Sequence, residues 1–312
     1  MNLVLALHLF VKIRTMKNIL VILLLGLMIP GLVYSQGEPI PEIGIATIAQ
    51  VNQGNSYITA PIDIGNIEPL WFEANIIPNF NIRENKDSRL MGVLTPQIIL
   101  RMYQEKSAPV RTPSYMPQVT VYYKLKSKTE ANSLSLFGKI AHHSNGQDGE
   151  YLLENGEVNL KTGDFSTNYF EVGIIKTSFN KRFNAVQFFG TSIEIHPESL
   201  TNTSMIGSYG LYRWNSIFSI FKLPYDKQSK QKKRAKISLK GRTTWMFGNL
   251  YDWNFFSLDR LNLSFTFYYH PKFLEDIGVF VNVYHGMDYY NIYFNHQISV
   301  IRFGIMTEIL QF

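Results

Sequence analysis

Apolar and polar residues alternate along most of the chain, in segments of about ten residues separated by clusters of Gly, Asn, Asp, Pro and Lys. Alternation with a period of two sends successive side chains to opposite faces of a strand, so each segment has one oily and one wet face. From Leu70 to Arg83, Leu70, Phe72, Ala74, Ile76, Phe80 and Ile82 share one parity, and Glu73, Asn75, Asn79, Asn81 and Arg83 share the other. Val119, Val121, Tyr123 and Leu125 alternate with Thr120, Tyr122, Lys124 and Lys126, and Leu261, Leu263, Phe265 and Phe267 with Asn262, Ser264, Thr266 and Tyr268. Between Ala235 and Phe247 the polar parity is Lys236, Ser238, Lys240, Arg242 and Thr244. That is too much charge for the core of a sandwich, whereas the polar lumen of a membrane barrel accepts it. The pattern predicts twelve strands, near 43–52, 70–83, 90–103, 116–126, 132–144, 168–179, 185–197, 209–221, 235–247, 261–269, 279–285 and 297–311, of which the first alternates most poorly. An even number of antiparallel strands with both ends on one side describes an all-β, transmembrane antiparallel β-barrel of the bacterial outer membrane.

Composition narrows the class. Charged residues make up 17% of the 312, below the ~25% of ordinary soluble domains, which excludes a disordered or coiled-coil chain. Aromatic residues reach 14%, a loading that suits strands and membrane girdles. Cysteine is absent, so disulfides, thiolate metal sites and a cysteine nucleophile are excluded. The net charge of +6 does not choose among partners.

The N-terminus adds a compartment. From Met16 the chain reads Met-Lys-Asn, an apolar run from Ile19 to Met28, then Pro30-Gly31 and small residues before Gln36. A short cationic start, an apolar core of about ten residues and a small-residue exit describe a secretory signal peptide. Residues 1–35 are therefore expected to be a leader, with a true start possible at Met16, and residues 36–312 the barrel. The basic run Lys227 to Arg234 falls in an inner-side turn by strand counting and reads as solvated. The chain ends in Phe312, with Leu310 and Met306 on its parity and Glu308 where an apolar residue belongs; this resembles the terminal aromatic signal of outer-membrane barrels.

Candidate chemistry concentrates at the end of one strand. In Ser133 to Ser144 the even positions Leu134, Leu136, Gly138, Ile140, His142 and Ser144 share the lipid-facing parity, while His143 points into the lumen. Polar groups aimed at hydrocarbon are costly and mark candidate functional sites. Two positions along a strand is roughly 6.5–7 Å, close enough for an imidazole to serve a serine hydroxyl as base. On the next strand Asn168 has the parity of Phe170, Val172 and Ile174 and lies at the same rim. It can accept from the far imidazole nitrogen and fix its tautomer, and an amide there avoids the desolvation cost of an ionised carboxylate.

Three segments carry a resemblance to a known family. His142-His143-Ser144-Asn145-Gly146 resembles the His-x-Ser-Asn-Gly motif of the outer-membrane phospholipase A family, with Asn168 in the place of its strand-borne asparagine. Arg111 to Gln118 is similar to its Arg-x-x-x-Tyr-x-Pro-Gln stretch, and Val283-Tyr284-His285-Gly286 through Tyr290-Asn291 to Arg302-Phe303-Gly304 and Phe312 to its C-terminal hairpin. The resemblance implies a twelve-stranded barrel that hydrolyses acyl esters of phospholipids as a calcium-dependent homodimer. It further implies Ser144 as nucleophile, His142 as general base, Asn168 as its orienting partner and the Gly146 amide as oxyanion donor. For Ca2+ it implies the Gln147 carbonyl, where an arginine is usual, and the Ser107 hydroxyl of the partner. The 23 residues between Ser144 and Asn168 exceed the family's interval, and Ser166 and Asp148 are the candidates for a further ligand.

Two other readings compete. Lipid A deacylases also carry a His-x-Ser-Asn pair on a lipid-facing strand, but they are smaller barrels with a carboxylate as third member. A porin-like channel would need an open lumen, which inward side chains largely fill in a barrel of twelve strands.

Overall fold

The computed structural model describes residues 41–312 except 42, 61–62, 84–87, 126–130, 225–233, 309 and 311–312. The expected leader, Lys227 to Lys233 of the basic run and the terminal Phe312 lie outside the described residues.

Thirteen strand segments among these residues form one closed antiparallel wall. They are β1 (Tyr57–Thr59), β2 (Leu70–Ile76), β3 (Phe80–Arg83), β4 (Leu90–Tyr103), β5 (Ser114–Lys124), β6 (Ser133–Ser144), β7 (Ser166–Asn180), β8 (Ala185–Ile195), β9 (Tyr212–Lys222), β10 (Ile237–Phe247), β11 (Leu261–Tyr269), β12 (Ile277–Met287) and β13 (Gln297–Thr307). From β4 onward each pairs with the next, and β1 closes the wall between β13 and β2. Both β2 and β3 pair with β4, so they are two halves of one interrupted strand and the barrel has twelve.

Near the N-terminus the sequence pattern is corrected at three points. Residues 43–52 are not a strand: Ile45–Gln53 forms helix α1. Ile45, Ile48, Ala49 and Asn52 recur at helical spacing and are buried, and Gly54 ends the helix at φ +93°, a value that favours glycine. The strand expected at 70–83 breaks at Ile77–Asn79 because Pro78 has no N–H for the ladder, while the Ile77 N–H turns to the Ser56 hydroxyl (2.8 Å). A bulge between Leu70 and Phe72 sends Leu70 inward to 5% exposure and leaves Trp71 outside at 47%.

Inside, the barrel is layered. At the inner rim α1 lies in the lumen: Ile48 and Ala49, with Ile43 just before the helix, pack among Met91, Tyr122, Phe137, Ile175, Phe188 and Phe221, all buried. Gln53 donates from Nε2 to the Thr120 hydroxyl (2.8 Å) and the Tyr122 hydroxyl (3.0 Å). At the outer rim a second apolar cluster gathers Phe165, Tyr209, Met246, Tyr290, Ile292 and Phe294. Ion pairs fill the middle. Arg101 binds Glu73 (2.7 Å) and, bidentately, Asp288 (2.7 and 2.8 Å); Lys139 pairs with Glu171 (2.9 Å), Arg213 with Glu194 (3.1 Å) and Lys240 with Glu308 (3.4 Å). Glu308 turns inward together with Met306 and Leu310, both buried, so the parity read from the sequence as an apolar terminal signal faces the lumen. Charges removed from water require partners, and the pairing leaves a cavity of about 420 Å³.

The outer face follows the predicted parity. Ile140, Val172, Phe189, Trp214, Phe218, Leu263 and Val279 are all exposed, an apolar belt around the wall of the kind that faces lipid.

Candidate active site

Strands β6 and β7 bring the candidate residues to one patch of the outer face. Their register sets His142 opposite Asn168, His143 opposite Thr167 and Ser144 opposite Ser166. His142 and Asn168 are joined by a hydrogen bond of 3.0 Å between Nδ1 and Oδ1. The Asn168 Nδ2 donates to the Leu200 carbonyl (3.1 Å). A carbonyl can only accept, so it commits the NH2 to Leu200 and the oxygen to His142. The imidazole then carries its proton on Nδ1 and offers the Nε2 lone pair. Ser144 lies two positions along the same strand and, among the described residues, its hydroxyl has no hydrogen-bond partner.

The acceptor at Leu200 is held from behind. Segment 196–202 is strapped to the start of β7 by Thr201 Oγ1 against Thr167 Oγ1 (2.9 Å) and by the Asn202 N–H to the Ser166 carbonyl (2.8 Å). Thr167 also meets His196 Nδ1 (3.0 Å), and His196 Nε2 meets Glu194 (2.7 Å). Burial, reinforced by the Arg213 cation, holds the His196 imidazole below its ordinary pKa. None of these residues carries a sequence signal, because the group that touches Asn168 is a backbone carbonyl.

Beyond Ser144 the chain turns on Asn145, which is 1% exposed. Its Oδ1 accepts from the Gln147 N–H (3.2 Å) and the Phe165 N–H (3.1 Å), and its Nδ2 donates to the Gly163 carbonyl (2.8 Å). Asn145 therefore clamps both ends of loop 145–165. Gly146 sits at φ +67°, left-handed backbone that favours glycine; its N–H has no acceptor among the described residues and remains free for a ligand. Tyr115 of β5, paired in register with Ser144, flanks the turn.

His143 faces the lumen as expected: it is 7% exposed and packs edge-on against Phe165 at 4.7 Å. The residues expected to hold calcium are only partly assembled. Ser166 lies across from Ser144, and Gln147 is fixed beside Gly146 through Asn145. Ser107 is exposed in the β4–β5 loop at φ +71°, and no described contact joins it to Gln147 or Ser166; Asp148 is exposed. Among the described residues no three His, Asp or Glu side chains converge as for a metal. Hydroxyls and carbonyls are hard oxygen donors of the type calcium takes, but calcium needs six to eight oxygens, so this set fits only if water and a second chain complete it.

No family model matches the chain, and no curated protein sequence matches it. Among solved structures, outer membrane phospholipase A from Escherichia coli is similar at TM-score 0.56 and 12% identity, over 81% of this chain and 92% of that one. A form of that protein described as an active-site mutant, with asparagine changed to alanine, is similar at TM-score 0.56 and 12% identity, over 88% and 94%. The Salmonella typhi outer membrane phospholipase dimer with bound calcium gives TM-score 0.56 and 11% identity, again over 88% and 94%. At such identities the likeness is one of fold: this chain is a closed twelve-stranded antiparallel barrel of the same architecture as these outer-membrane proteins.

Proposed function

We propose that the protein is a phospholipase of the bacterial outer membrane, hydrolysing acyl ester bonds of glycerophospholipids at the lipid-facing rim of its barrel. The observation that carries this reading is the His142–Asn168 hydrogen bond on the outward face, with Ser144 on the same face of the same strand. In this reading His142 Nε2 takes the Ser144 proton as Oγ attacks the ester carbonyl, and Asn168 Oδ1 stabilises the imidazolium through Nδ1–H. The Gly146 N–H donates to the carbonyl oxygen as it becomes an oxyanion. Collapse expels the lysophospholipid alkoxide, which receives the proton from His142. Water, deprotonated by His142, then releases the fatty acid from Ser144. The outward aim of the site matches a substrate that lies in a bilayer, and solved structures of the same fold are named phospholipases.

Calcium is part of the proposal. Gln147 through its carbonyl, Ser166 through its hydroxyl and Ser107 of a second protomer are the residues that would hold it, and the ion would add positive charge beside the developing oxyanion. That arrangement makes the active form a homodimer, the state in which one of the similar structures was solved with calcium. A deacylase reading loses ground because the third member is an amide bonded to Leu200. A channel reading loses ground because α1 and the aromatic cluster occupy the two ends of the lumen.

The test is fatty-acid release from phospholipid dispersed in detergent, comparing the intact chain with Ser144→Ala. Equal turnover by the two proteins would end the proposal.

A further inference from the structure

The outer-rim loop between β10 and β11, residues 248–260, is a braced structure that ends in bare apolar side chains. Arg260 is 4% exposed, and its guanidinium donates to four carbonyls: Nε to Asn254 (2.9 Å), Nη1 to Gly248 (3.0 Å) and Met246 (3.3 Å), and Nη2 to Trp253 (2.6 Å). Leu250 is fully buried in the outer-rim cluster. The Tyr251 N–H donates to the Gly207 carbonyl (2.7 Å) of the neighbouring loop. Ser257 then caps the last turn, accepting from the Asp259 N–H (3.3 Å) and donating to its carboxylate (2.6 Å).

With its base fixed in this way, the tip is held away from the protein. Phe255 is 54% exposed, Leu258 72% and Phe256 83%. From Trp253 to Leu258 the loop carries no charge. The direction of the tip follows from β10. Met246 pairs with Arg213, which faces the lumen, so the next pair, Phe247 with Tyr212, faces out. Phe255 packs on Phe247 (5.9 Å between ring centroids) and Phe256 on Phe255 (4.9 Å). Tyr212 and Trp214 are also outward and exposed. The loop therefore extends the aromatic edge of the wall upward and outward instead of folding over the barrel mouth.

We infer that Phe255, Phe256 and Leu258 form an anchor that enters the lipid–water interface beside the outer rim. Large apolar side chains held in water are unfavourable, and a buried arginine that braces a loop to keep them there makes sense if they meet lipid. The patch is continuous with a wall whose exposed residues already face hydrocarbon, and aromatic rings favour the interfacial depth that this rim occupies. The inference rests on the barrel spanning a membrane and is independent of the catalytic assignment.

Because the chain has no cysteine, Phe256→Cys carries a single environment-sensitive fluorophore. The reference is the same label on Glu154→Cys, an exposed position in the 145–165 loop. In dilute phosphatidylcholine vesicles the label at 256 should emit at shorter wavelength than the reference, be quenched by nitroxide-bearing lipids and lose quenching by aqueous iodide. Iodide quenching equal to that of the reference would overturn the anchor. Protection from iodide without nitroxide quenching, rising with protein density, would assign the patch to a second copy of the chain and overturn it equally.

Discussion

Replacing Asn168 by alanine removes one acceptor from His142 and nothing from the barrel wall, which makes it a sharp test of the orienting role. In the resting site the lost bond is neutral, but in the proposed mechanism the same contact becomes charge-assisted as the imidazole takes the Ser144 proton. Hydrogen bonds to charged groups contribute about 1.5–3 kcal/mol, and each 1.36 kcal/mol is tenfold in rate, so kcat should fall by about 10- to 150-fold. This is far less than the roughly 10⁴-fold cost of replacing the carboxylate of a Ser-His-Asp triad by an amide, which holds the imidazole in the wrong tautomer; Asn168→Ala imposes no wrong tautomer and only removes the acceptor. KM should be nearly unchanged, since Asn168 reaches the reacting atoms only through His142. Asn168→Asp should not improve on the natural residue: one carboxylate oxygen would face the Leu200 carbonyl, now acceptor against acceptor, where Nδ2 donates at 3.1 Å. The assay is fatty-acid release from mixed micelles over a range of surface concentrations, separating kcat from KM, on protein whose refolding is verified by gel mobility with and without heating. Activity within twofold of the intact chain, or a loss confined to KM, would refute the reasoning.

Other outcomes follow from neighbouring residues. Ser144→Ala should abolish hydrolysis while the barrel still refolds, whereas His143→Ala, inside the lumen, should keep most activity; the reverse order of the two histidines in activity assays would place the base on the wrong face. Chelation should reduce turnover by about 10²-fold, the scale of losing one principal oxyanion contact, and Ser107→Ala should raise the calcium needed for half-activity and for cross-linking of dimers, because metal binding and association are reciprocal. The His196 imidazole stays neutral in the fold below the pH at which the unfolded side chain protonates. The unfolded state therefore binds the extra proton, and stability should decline as pH falls below about 6.5, by at most about 1.4 kcal/mol per unit for this one group. His196→Gln should flatten that decline in urea titrations at pH 5–7.

The wall was legible in the sequence because a strand with lipid on one side and a polar lumen on the other must alternate, and from Leu90 to Thr307 the observed strands fall within a few residues of the predicted ones. The inner end was not legible. Residues Ile43 to Val51 carry enough apolar side chains for a poor strand or a short helix, and only the place of α1 inside the lumen decides between them. The outward aim of His142, Ser144 and Asn168 was a matter of parity and so could be read. The Leu200 carbonyl and the Asn145 clamp could not, since a backbone acceptor leaves no residue type to recognise and a buried asparagine in a loop looks like any turn residue.

The position of α1 also couples two steps of assembly. It precedes β1 in the chain, yet it lies inside a wall that β1 closes, through three pairs with β13 and two with β2. Only residues 54–56 separate the nine-residue helix from β1, so pairing of β1 with β13 and β2 confines α1 to that end of the lumen. Seating the helix and closing the seam are therefore expected to proceed together. The shortest of the described strands is then a clasp with a plug attached to it.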